Sequence, residues 1–149
     1  MMDGFRDDPV VRTTFAEASE ALGEDLWQLV HEGPADGLNL TRNTQPVMLT
    51  AGVAVWRAWQ AAGGAAPSYV AGHSLGEYTA LVAAGALAFR DAVPLVRFRA
   101  EAMQDAVAAG VGAMAASSAP TKPRSRTRAA RPRRAKSSRR STSMRRTRS

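Results

Sequence analysis

The chain has 149 residues, long enough for one ordinary domain, and a formal net charge of +7 that is unevenly spread. Residues 1–116 hold 7 arginines, no lysine and 13 acids, for −6, whereas residues 117–149 carry 13 basic groups and no acid. The overall basicity therefore belongs to one terminal stretch, which excludes a basic domain, and the absence of cysteine excludes a disulfide frame and any thiolate metal site. The opening "MMDGFRDDPVV" contains no apolar run of signal-peptide length, and the Ala-rich segments are too short to span a bilayer. The expectation is a cytoplasmic protein with no membrane partner.

In chain order, Val10 to Leu22 carries apolar or small residues at helical spacing and is closed by Gly23. Asp25 to Val30 reads as a short helical stretch, and "EGPADG" as a surface loop beside His31. "NTQPVMLTAGVAVWRAWQAAGG" predicts a long helix capped by Thr44, with Pro46 in its first turn and Gly63–Gly64 at its end. Met48, Leu49, Gly52, Val53, Trp56 and Trp59 are spaced for its buried face. "PSYVAG" predicts a buried parallel strand, Leu75 to Gly85 a helix, and Asp91 the cap of another helix reaching about Val107, with Pro94 in its first turn. "AGVGAMAA" predicts the approach to a second strand. This order is that of an α/β domain over residues 1–116. Residues 117–149 lack Val, Ile, Leu, Phe, Tyr and Trp, and are expected to be a disordered tail.

Two features point to chemistry. "GHSLG" fits G-x-S-x-G through Gly72, Ser74 and Gly76. Between a strand and a helix, this pattern lifts a serine hydroxyl onto a tight turn, where bulky neighbours would clash and where the Leu75 N–H can face a developing oxyanion. The alternative is a Gly-lined turn on which Ser74 only caps the helix. Neither His73, whose side chain points away from that of its neighbour, nor His31 is a convincing base for it. The second feature is Arg99. At 100° per residue, Ala92, Leu95, Val96, Met103 and Ala106 fall within about 60° of it, while Arg97, Glu101 and Gln104 lie opposite. Arg99 is thus expected as a lone cation on an apolar face, suited to a ligand carboxylate or else reaching the edge of the protein or pairing with another element.

The pieces "TFAEASEALGEDLWQL", "LNLTRNTQPVMLTAGVAVWRAWQAAGG", "AGHSLGEYTALVAAGAL", "DAVPLVRFRAEAMQ" and "GVGAMAA" together resemble the malonyl-CoA:acyl carrier protein transacylases of fatty acid synthesis, relatives of polyketide synthase acyltransferase domains. The resemblance implies a partial α/β-hydrolase-like acyltransferase core, a parallel sheet with flanking helices. It also implies acylation of Ser74 by malonyl-CoA and transfer to the phosphopantetheine thiol of an acyl carrier protein. By the same resemblance Leu75 supplies an oxyanion N–H, Arg99 holds the malonyl carboxylate and Gln45 lies near the site, with neither metal nor cofactor. The family's N-terminal strand and Gly-rich loop, and its downstream histidine, have no counterpart here, and the tail has the vocabulary of an out-of-frame reading. A truncated or frameshifted, catalytically incomplete product is therefore expected. The alternatives are a serine hydrolase sharing the elbow, and nonspecific nucleic-acid binding by the basic tail.

Overall fold

The computed structural model describes residues 2–106. A 3-10 turn at Asp3–Phe5 leads into six α-helices: α1 (Pro9–Leu22), α2 (Leu26–His31), α3 (Ala35–Asn39), α4 (Thr41–Ala61), α5 (Leu75–Ala83) and α6 (Phe89–Asp105). The chain divides into two units, Met1–Ala113 and Met114–Ser149, and all described residues lie in the first.

Local chemistry fixes the helix ends. The Asp8 carboxylate accepts from Val10 N at 2.8 Å and Val11 N at 3.2 Å, and Pro9 stands at the first helical position, where its missing N–H costs nothing. Gly23 closes α1 in the left-handed region at φ 68. Asp25 then caps α2 through Gln28 N at 2.8 Å. Ser19 ties the two helices, its hydroxyl donating to Phe15 O and accepting from Leu26 N.

Helix α4 is central and packs against α1, α3, α5 and α6. Val11, Phe15 and Ala18 of α1, Leu26 of α2, Val47, Leu49, Val53 and Ala54 of α4, and Phe89, Ala92, Val93 and Val96 of α6 form one apolar core. Gly52 lets α5 approach, since a methyl there would lie 2.9 Å from Thr79 Cγ2.

Three carboxylates along and just after α1 each take an arginine from a neighbouring helix. Glu17 pairs with Arg57 at 2.6 Å, Glu20 with Arg90, and Glu24 with Arg97 at 2.6 Å. Arg57 also lies over the Phe89 ring at 4.8 Å.

Several expectations need correction. No strand occurs among the described residues: the segment around "PSYVAG" is irregular and solvent-facing, with Tyr69 93% exposed. A strand is held by ladder partners, and an apolar run without one stays open. "EGPADG" is not all loop, because α3 begins at Ala35, and His31 ends α2 rather than lying in a loop. Thr44 does not cap α4, which starts at Thr41; its hydroxyl instead bonds Leu38 O at 2.6 Å. Pro46 and Pro94 sit inside α4 and α6, past the first turn. Met48 and Trp59 are exposed rather than buried. The second expected strand and the tail lie outside the described residues. No helix among the described residues is long and apolar enough to cross a membrane.

Hydrogen bonds from Arg97 hold the Glu24 carboxyl below its ordinary range, partly opposed by burial. A depressed folded-state value means that its stabilisation is complete above the usual glutamate range and is lost as pH falls through the folded-state value. Glu24→Gln should therefore cost about 1–2 kcal/mol at pH 7, allowing for the exposure of Glu24. The difference from the parent should shrink towards pH 3 when both are unfolded in denaturant.

Candidate active site

The turn before α5 is built on a backbone contact. A Cβ on Gly72 would lie 2.0 Å from both the C and O atoms of Gly76 and 2.5 Å from Glu77 N, so only hydrogen fits there. Gly76 itself has open space around its Cα, so of the motif's two glycines only Gly72 is sterically required. Between them Ser74 adopts φ 55, ψ −112, a positive φ that is strained for any residue with a Cβ. It is the only such non-glycine among the described residues. The turn is secured by Gly76 N donating to His73 O at 2.9 Å and Glu77 N donating to Ser74 O at 3.2 Å. Ser74 does not cap α5 with its side chain, against the structural alternative. Its hydroxyl is exposed, and Leu75, the first residue of α5, has an N–H that belongs to the orphan donors of a helix start.

Arg99 reaches this serine from α6. Its Nη2 donates to Ser74 Oγ at 2.8 Å, and its Nη1 donates to Gln45 Oε1. Gln45, buried in α4, is held from its other end by Nε2 donating to Met103 Sδ at 3.6 Å. The Tyr78 ring lies 5.8 Å from the Arg99 guanidinium. Ser74, Leu75, Arg99 and Gln45 are thus gathered at one place from three elements.

The surroundings of Arg99 differ from expectation. The core face of α6 is Phe89, Ala92, Val93, Val96, Arg97 and Ala100. Leu95 and Met103, expected to flank Arg99 in the core, are both 44% exposed. The arginine that is sunk among apolar residues is Arg97, 9% exposed, and it has a carboxylate partner. Arg99 is half-buried at the edge of that face, and both of its hydrogen-bond acceptors are neutral. Among the described residues its charge has no carboxylate partner.

Neither histidine is hydrogen-bonded to Ser74 among the described residues. His31 stacks on Trp27 with ring centroids 4.1 Å apart, its Nδ1 3.1 Å from Trp27 O, and His73 is exposed beside the serine. No cluster of His, Cys, Asp or Glu suited to a metal occurs among the described residues. Beside the turn, Trp56, Tyr69, Val70, Thr79, Ala80 and Ala83 line an open, mostly apolar surface groove of about 520 Å³, which sequence reasoning did not single out.

The described residues thus place a strained serine on a glycine-backed bend at a helix start, met by a cation whose hydrogen-bond acceptors are neutral. Residues 2–142 match the model of the acyl transferase domain, and the chain belongs to that family. It is 61% identical over 108 residues to the malonyl CoA-acyl carrier protein transacylase of Escherichia coli (strain K12), and 53% to that of Bacillus subtilis (strain 168). The described fold matches the crystal structure of an acyl-carrier-protein S-malonyltransferase from Burkholderia pseudomallei 1710b at 71% identity and a TM-score of 0.70, covering 72% of this chain. It also matches a malonyl-transacylase in complex with its type II PKS acyl-carrier protein, at 56% identity and a TM-score of 0.69. The chain spans about a third of the length of these relatives.

Gly72→Ala should force the turn open, because a backbone clash has no rotamer escape, at a cost of about 1–3 kcal/mol. Amide shifts at Leu75 to Glu77 should move with it, whereas Gly76→Ala should leave the thermal midpoint near that of the parent.

Proposed function

We propose that this region supplies the nucleophile and the acyl-recognition half of a malonyl-CoA:acyl carrier protein transacylase acting in fatty acid synthesis. The observation that carries the reading is the 2.8 Å hydrogen bond from Arg99 to the hydroxyl of a strained Ser74. In the reaction, Ser74 Oγ attacks the thioester carbonyl of malonyl-CoA and the coenzyme A thiolate leaves. The resulting malonyl-serine is then attacked by the phosphopantetheine thiol of the carrier protein, which restores the hydroxyl. Arg99 donates to Oγ rather than accepting from it, so the serine proton remains available to a base. The Leu75 N–H stabilises the oxyanion of each tetrahedral intermediate.

The fork of Arg99 binds the free carboxylate of the malonyl group through paired hydrogen bonds, and Gln45 holds that fork in plane. A simple esterase has no use for such a cation. That disfavours the hydrolase alternative, and the names of the relatives agree with the acyltransferase reading. Residues 1–116 form the acyltransferase part in this reading. Residues 117–149 lie outside the site, and a cytoplasmic location belongs to the same proposal.

The test grafts residues 2–106 into the Burkholderia pseudomallei malonyltransferase in place of the matching segment. Labelled malonyl-CoA should then mark Ser74, and Ser74→Ala should abolish the label. Arg99→Ala should lower malonyl transfer by about 100-fold, the scale of a lost charge-assisted pair, and acetyl transfer by no more than about fivefold. Equal losses for the two acyl groups would make Arg99 structural and sink the assignment.

A further inference from the structure

Arg97 and Arg99 stand two residues apart on α6, so they leave the helix in nearly opposite directions. Arg99 points to Ser74, whereas Arg97 turns to the far side and donates from Nη1 and Nη2 to the two oxygens of Glu24, at 3.0 and 2.6 Å. Glu24 is itself anchored outside α6. It follows the left-handed Gly23, and its backbone N–H donates to Ser19 O at 3.2 Å. Arg42, at the start of α4, reaches the same carboxylate at 3.5 Å.

We infer that Glu24 and Arg97 are positioning residues that set the roll of α6 about its axis and thereby aim Arg99 at Ser74. The inference rests on the role proposed for Arg99. Three observations carry it. First, the face that α6 turns to the core between Ala92 and Ala100 is, apart from Arg97, made of alanine and valine, a smooth surface that resists a small roll weakly. Second, among the described residues the opposite side is weakly braced: Leu95, Phe98 and Met103 are 44%, 68% and 44% exposed, and its tie to α4 is the long 3.6 Å contact of Met103 Sδ with Gln45 Nε2. Third, Arg97 has no second place to go. Its Nε is buried without a partner, and its two Nη groups are committed to one carboxylate.

A two-point contact between planar groups fixes an angle as well as a distance. The lever is sensitive. At a side-chain radius of about 6 Å, a roll of about 20° moves a guanidinium by about 2 Å, which is enough to break a hydrogen bond. A buried ion pair is seldom more stabilising than apolar residues of similar volume, so direction is what this pair adds.

The experiment observes the Arg99 guanidinium by nitrogen-15 NMR in the whole chain, with no acyl ligand present. A guanidinium held at both Nη groups gives separate Nη signals, whereas a released one averages. In the parent, Arg99 should show separate signals. In the paired variant Glu24→Gln with Arg97→Met, the thermal midpoint should stay within a few degrees of the parent while the Arg99 signals collapse to one. Arg97→Lys, which keeps the charge and loses the fork, should give the same collapse. Separate Arg99 signals in either folded variant would overturn the inference, and so would failure of both variants to fold, which would make the pair a requirement of folding. Because no substrate is used, the outcome is independent of whether malonyl discrimination is found in the graft.

Discussion

A serine cannot rest at φ 55 unless the surrounding chain leaves it no cheaper conformation. Here that compulsion comes from the contact of Gly72 with the backbone of Gly76 and Glu77, which presses the incoming segment onto the start of α5. The strain raises the hydroxyl clear of its neighbours and points it across to α6. Everything chemical in the site follows from that one bend: the exposure of Oγ, the approach of the Arg99 fork, and the orphan N–H of Leu75 beside them.

The arginines divide the labour by their partners. Arg57, Arg90 and Arg97 meet carboxylates on or beside α1, so their charges are spent on holding helices together. Among the described residues, the hydrogen bonds of Arg99 go to a serine hydroxyl and an amide oxygen. The same residue type, two positions apart on one helix, is tied to a carboxylate in one case and to neutral oxygens in the other. The difference lies entirely in whether an acid stands opposite.

This division explains what could and could not be read from the residues alone. The helices announced themselves through the apolar spacing from Val10 to Leu22 closed by Gly23, and through the apolar spacing of α4 ended by Gly63 and Gly64. The motif "GHSLG" located Ser74, and family resemblance located Arg99 and Gln45, which the structure brings together. The face of α6 was misjudged because a helical wheel ranks side chains by apolarity. It therefore put Leu95 and Met103 inside and Arg97 outside, whereas Arg97 is buried by virtue of an acid 73 positions earlier in the chain. Long-range pairing of this kind leaves no local trace. The strand expected at "PSYVAG" was read correctly as apolar, but apolarity does not supply a ladder partner, and Tyr69 stands open to solvent.

The contact at Gly72 is made by main-chain atoms on both sides. Its geometry is therefore indifferent to the identity of the side chains flanking it. The side chains of Tyr69, Ala71 and His73 are all exposed, so substitutions there leave the bend at Ser74 in place, provided that position 72 stays bare. A bend anchored in this way separates the placement of the Ser74 hydroxyl from the chemistry of the surface around it.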